Sequence, residues 1–191
     1  DTDMAVIGPR IQNLIGKVKE AKLADNAEAQ ANKKATEGYL NTLKKNGARV
    51  FYGHQEAWGT VEENAGILKE KIFEILRETG EEKVNIIAHS KGGLDSRYLI
   101  SGLHMAPYVA SLTTICTPHR GSMLADLLMK LPDFLYRGIC GLMDRYFGML
   151  GDRAPNAYVA SRQLSCAWTQ EFNRKYPDSS SVYYQSYASM M

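Results

Sequence analysis

The segment Val84-Asn85-Ile86-Ile87-Ala88-His89-Ser90-Lys91-Gly92-Gly93 constrains the fold more than any other part of the chain. Residues 84–88 form an apolar run of the kind found in a strand buried on both faces. The run passes directly into the pattern small–x–Ser–x–Gly, and a helix is expected from about residue 92 to residue 101. A nucleophilic serine has to stand clear of its sheet on a sharp, strained strand-to-helix turn. Such a turn crowds the residues two before and two after the serine, so both must be small. Here they are Ala88 and Gly92. The helix that follows aims free N–H groups and its positive dipole end at the turn. The backbone N–H of Lys91 is then a natural donor to a developing oxyanion. Small–x–Ser–x–Gly alone is a weak signal, and the flanking strand and helix supply the context it needs. The bland alternative is a plain turn whose serine caps a helix.

The rest of the chain alternates strand and helix patterns. Strands are expected at residues 49–52, 109–115 and 182–186. Thr60 followed by Glu63 is a capping-box start, and the apolar face Ile67, Leu68, Ile72, Ile75 and Leu76 carries that helix to Gly80. Residues 123–150 read as two or three short helices interrupted by Pro132, Gly138, Gly141 and Gly148, and residues 164–176 as another helix. Residues 9–47 are mostly helical in pattern and end at Gly47, with residues 24–35 a solvated helix or mobile segment. This alternation predicts an α/β fold with a mostly parallel sheet flanked by helices. At 191 residues the expected organisation is one domain, residues 1–191.

Apolar residues make up 45% and charged residues 23%, which is ordinary globular usage. A net charge of +2, with both signs interspersed, argues against a nucleic-acid footprint. No apolar run is long enough to span a bilayer. Residues 4–7 are too short for the apolar core of a signal peptide. The chain begins at Asp1, so a removed leader stays open. Cys116, Cys140 and Cys166 are odd in number and lack metal-ligand spacing, so buried thiols are expected, with one disulfide left open.

VNIIAHSKGGLDSRYLIS, followed by SLTTICTPHRGS, resembles the bacterial triacylglycerol lipases of the α/β-hydrolase superfamily, in particular the clostridial and pseudomonad types. Residues 47–53, Trp58-Gly59, residues 62–64 and EFNRKYPDSSSVYYQSYAS extend the resemblance over about residues 37–188. It implies a partial α/β-hydrolase fold that cleaves carboxylic esters through an acyl-enzyme on Ser90. Lys91 would give one oxyanion N–H, and Ala88, His89 and Gly92 would support the turn. The resemblance makes residues 117–122 the floor of the site and residues 123–165 a helical cap or lid, with residues 1–36 a divergent helical segment. It implies a lipid or ester substrate, contact with a lipid interface, no nucleic-acid partner and no cofactor. Calcium occurs in the family, but no ligands for it are expected here. The resemblance is compatible with secretion and does not set the oligomeric state.

Three departures qualify it. Ala88 stands where glycine is commoner. No His-Gly pair precedes Gly47, so residues 4–7 are the only candidate for the family's central strand, and the second oxyanion donor would fall near Gly8 or Pro9, of which Pro9 has no N–H. The triad order of this fold is Ser, acid, His, and the family's acid and His lie beyond the strand matching residues 182–186, so an incomplete machine is expected.

No other histidine substitutes readily. His104 should lie two or more turns from Ser90, and His119 should share its sheet edge but hold its own loop. His89 flanks the turn and His54 follows an earlier strand. Asp95 and Arg97 are expected in an ion pair or loop anchor, the Lys91 side chain in solvent, and Asp126, Asp133 and Asp144 without a His partner. Ser90 without a base is a poor nucleophile. A non-catalytic degenerate hydrolase or interaction module is therefore the main alternative, and thioesterase-like acyl transfer on the same fold is a third reading. Met123, Leu124, Leu127, Leu128, Leu131, Phe134 and Leu135, continued by Ile139, Leu142, Met143, Phe147 and Leu150, form an apolar face that suits either a lid or a buried cap.

Overall fold

The computed structural model describes residues 4–7, 38, 41–149 and 151–188. Its strands are β1 (Met4–Ile7), β2 (Arg49–Tyr52), β3 (Val84–His89), β4 (Val109–Ile115) and β5 (Tyr183–Tyr187). They form one parallel sheet in the order β2-β1-β3-β4-β5. Residues 4–7 do take the place between β2 and β3, with Ala5 opposite both Val50 and Asn85. Gly8 and Pro9, where a second oxyanion donor is expected, lie outside the described residues, as does most of the N-terminal segment. Because every pairing is parallel, the ends of all five strands face one edge of the sheet. Loops leaving a strand collect at that edge.

Helix α1 (Val61–Thr79) lies along this sheet. Thr60 caps it: its side chain accepts from the Glu63 N–H while the Glu63 carboxylate accepts from the Thr60 N–H. Gly80, with φ 73°, ends it in the left-handed region that a Cβ would disfavour. Leu68, Ile72 and Ile75 are buried with Ile86, Ala88, Leu99, Val109 and Leu112, which makes this the main core.

Helix α2 (Gly92–Arg97) follows β3, and the chain continues as a π-helical turn over Tyr98–Gly102 instead of one regular helix to residue 101. Helices α3 (Met123–Leu128), α4 (Asp133–Met149), α5 (Ala157–Arg162) and α6 (Cys166–Lys175) complete the order before β5. The glycines at 138, 141 and 148 do not interrupt α4, which runs for 17 residues. A solvated glycine costs a helix only about 1 kcal/mol, less than breaking it would. Pro132 does mark a boundary, since its carbonyl accepts from Leu135 and Tyr136 as α4 begins. The helix expected from residue 164 starts at Cys166 instead, because the Ser165 side chain caps it at Trp168. All three cysteines are free, and Cys116 is exposed, contrary to the expectation of buried thiols.

Leu68 sits at the centre of the α1–sheet contact. Leu68→Ala is expected to lower unfolding stability by about 2–5 kcal/mol in urea titration.

Candidate active site

Ser90 occupies the turn between β3 and α2 with φ 55°. A non-glycine residue in this region is uncommon and costs of order 1 kcal/mol or more, so the surroundings must hold it. They do so through three backbone contacts. The Ser90 N–H donates to the Ile115 carbonyl at the end of β4 (2.9 Å). The Ser90 carbonyl accepts from the Gly93 N–H (3.0 Å) and from Thr117 Oγ1 (2.8 Å). Ala88 and Gly92 are both buried on either side of the turn. His89 is the half-buried last residue of β3, opposite Ile115. Lys91 is helical (φ −52°, ψ −31°) and its carbonyl already accepts from Leu94 and Asp95. Its own N–H precedes the first turn of α2, where helix geometry provides no intrahelical partner.

Gly93 was not singled out by the sequence pattern, yet the structure leaves no room for a side chain there. A Cβ on Gly93 would fall well inside contact distance of the Thr117 hydroxyl and methyl. Thr117 needs that space to reach the Ser90 carbonyl. The Gly-Gly doublet was the available signal, but only the approach of the β4 loop explains it.

The Lys91 side chain is not in solvent. Its Nζ donates to Asp95 Oδ1 at 2.7 Å, and Asp95 is fully buried. The other Asp95 oxygen accepts from Asn64 Nδ2 of α1 (3.0 Å). Burial pushes the Asp95 carboxyl up to about 6, the attraction of Lys91 and the Asn64 bond pulling the other way. Arg97 pairs with Asp178 (3.0 Å) and donates to Asn173 Oδ1 (2.6 Å) and the Tyr176 carbonyl (3.4 Å). Asp95 and Arg97 are thus anchors, but to different partners.

His119 shares the sheet edge with Ser90, and its Nε2 lies 3.0 Å from Thr114 Oγ1 while its carbonyl accepts from Asn173. Burial, followed by the nearby Arg97 charge, holds this imidazole below its ordinary range. His104 is exposed and precedes β4, which places it at the opposite edge of the sheet. His54 follows β2, two strands from β3. Asp126 accepts from the Cys166 N–H, Asp144 from the Ala157 N–H, and Asp133 from Arg137 and Tyr158. Each of these carboxylates fastens parts of the α3–α6 region to one another. No group of three or more His, Cys, Asp or Glu side chains is arranged to hold a metal among the described residues.

Helices α3 and α4 expose much of their apolar face. Met123 is 85% exposed, Phe134 78% and Leu142 71%. Tyr136 and Cys140 turn the other way and pack with Ala157, Trp58 and Tyr158. Leu131 and Met143, which the sequence pattern counted with the exposed residues, join this inward-facing group instead.

Gly93→Ala should displace Thr117 and destabilise the chain by about 1–3 kcal/mol. Adding Thr117→Ala should recover part of that loss in a double-mutant cycle read by chemical denaturation.

No family model matches the chain. It is 35% identical over 152 residues to a triacylglycerol lipase of Pseudarthrobacter phenanthrenivorans, covering 73% of this chain and 47% of that one. A triacylglycerol lipase of Burkholderia plantarii is also 35% identical over 152 residues, covering 73% and 42%. The chain spans about half the length of the curated relatives it matches. Among solved structures, the mature form of a Bacillus licheniformis lipase superimposes with a TM-score of 0.63 at 19% identity, covering 97% of this chain and 64% of that chain. No helix among the described residues is long and apolar enough to cross a membrane. Over the length it shares with these relatives the chain is homologous to proteins named triacylglycerol lipase, and its fold is the α/β-hydrolase fold of the solved lipase.

Proposed function

We propose that the protein hydrolyses carboxylic esters of lipids through an acyl-enzyme on Ser90, with the Lys91 N–H stabilising the oxyanion. The left-handed turn at Ser90, clamped by Ile115 and Thr117 and followed at once by Lys91, carries this reading. Such a turn lifts the serine hydroxyl off the sheet edge toward an incoming carbonyl. The tetrahedral intermediate formed there places its negative oxygen near the helix start, where N–H groups and dipole are already oriented. Ala88, His89 and Gly92 support the turn without joining the chemistry. The general base and its acid partner are not identified among the described residues, since His119 is engaged by Thr114 and His104 sits at the far edge.

The exposed face of α3 and α4 suits the lipid side of the reaction. Met123, Leu124, Leu127, Phe134 and Leu142 would rest on the apolar surface of an aggregated substrate. Relatives named triacylglycerol lipase support an acylglycerol substrate class.

Treatment of the full gene product with a fluorophosphonate should modify Ser90, as located by peptide mass spectrometry. Ser90→Ala should abolish both labelling and turnover of a medium-chain nitrophenyl ester. Turnover that survives Ser90→Ala would sink the assignment. Replacing Phe134 and Leu142 together by Glu should weaken co-sedimentation with phosphatidylcholine vesicles by at least about tenfold, since each such side chain contributes roughly 1.5–3 kcal/mol when buried.

A further inference from the structure

A continuous polar path runs from the segment joining α4 and α5 to the Ser90 turn. At the cap end, the Asp152 carboxylate accepts from the Ala57 and Trp58 N–H groups (3.3 and 3.2 Å). The Asn156 N–H donates to the Trp58 carbonyl (2.8 Å), and the Arg153 N–H to the Glu56 carboxylate (2.9 Å). The loop between β2 and α1 is therefore fastened to the segment joining α4 and α5. That loop is in turn gripped by Asn64, whose Oδ1 accepts from the Glu56 N–H and whose Nδ2 donates to the Glu56 carbonyl, both at 2.9 Å. Gly59 allows the grip, because a Cβ there would come within 2.8 Å of Asn64 Oδ1. The same Asn64 Nδ2 donates to Asp95 (3.0 Å), and Asp95 accepts from Lys91 Nζ (2.7 Å). Asn64 and Asp95 are fully buried, and Lys91 nearly so.

We propose that Asn64 and Asp95 are positioning residues that couple the base of the cap to the oxyanion-donating turn at Lys91. The proposal takes the role of the Lys91 N–H from the ester-hydrolase reading, and takes the link itself from geometry.

Stability alone is a poor reason for this buried pair. The Asp95 carboxyl is raised from 3.8 to about 6 by burial. A raised carboxyl gives its full stabilisation below the unfolded value and loses it as pH rises through the folded one. At neutral pH the ionised form therefore costs stability, as buried ion pairs commonly do. What the pair does supply is one carboxylate bridging two elements in fixed geometry. Lys91 faces Asp95 from its own helix, and Asn64 and Glu62 face it from α1. Glu56, also pushed up by burial, lies on the loop that Asn64 grips.

The test uses the full gene product. Trp168→Phe leaves Trp58 as the single tryptophan of these 191 residues, packed on the cap beside Phe147 at 5.8 Å between rings. In that background Trp58 emission should shift with a midpoint near pH 6, where Asp95 loses its charge. Asp95→Asn, which keeps the bond to Asn64, should remove that midpoint. Asp95→Asn and Asn64→Ala should each slow fluorophosphonate labelling of Ser90 by about tenfold or more, through kcat in ester turnover and not KM. The double variant should be no slower than the worse single one. An Asp95→Asn protein that is folded by circular dichroism, with unchanged Trp58 titration and unchanged labelling rate, overturns the proposal. Failure of the parent protein to label at Ser90 counts instead against the ester-hydrolase reading, and the Trp58 titration still decides the link.

Discussion

Three hydrogen bonds hold the Ser90 backbone in a left-handed conformation that serine does not adopt without support. One comes from the end of β4, one from Gly93 and one from Thr117. The rest of the structure is arranged around making those bonds available. The parallel pairing of β3 with β4 sets Ile115 beside His89, so the Ile115 carbonyl is where the Ser90 N–H needs it. The loop after β4 then folds back over the turn, and Gly93 leaves room for Thr117. A larger residue at position 93 would push Thr117 away from the Ser90 carbonyl.

Beneath this turn lies a buried carboxylate whose placement is costly and whose contacts are directional. Asp95 meets Lys91 on one side and Asn64 on the other, and Asn64 continues to the loop that carries Trp58. The elbow is thus tied to α1 by polar bonds as well as by the apolar contact of Ala88, Leu68 and Ile72. Apolar packing tolerates small sliding movements, while hydrogen bonds of fixed direction do not. The segment joining α4 and α5 is linked to that loop by polar bonds, while α3 and α4 present an exposed apolar face.

The main elements were legible because their patterns are local. The apolar run into small–x–Ser–x–Gly located β3 and the turn, Thr60 and Glu63 marked the start of α1, and β4 coincides with the expected residues 109–115. Other features depended on neighbours that the chain order conceals. The glycines of α4 suggested breaks, but the helix runs through them, with open space beside Gly138 and Gly141. Lys91 looked solvated because a lysine beside a turn usually is, and nothing in the adjacent sequence places Asn64 within reach of its partner. Cys116 looked buried from composition alone, although the end of β4 leaves it exposed.

The sequence by itself determined the serine turn and the alternating strand and helix order that makes a parallel sheet, because both rest on spacing within short segments. It also located the apolar residues of α3 and α4. Only the tertiary structure decided which of those residues face outward, why Gly93 has to be glycine, and that Asp95 bridges the elbow to α1. These depend on residues far apart in the chain meeting across the sheet edge. Ser90 therefore sits in a strand-to-helix turn whose pattern is written locally and whose geometry is held from a distance.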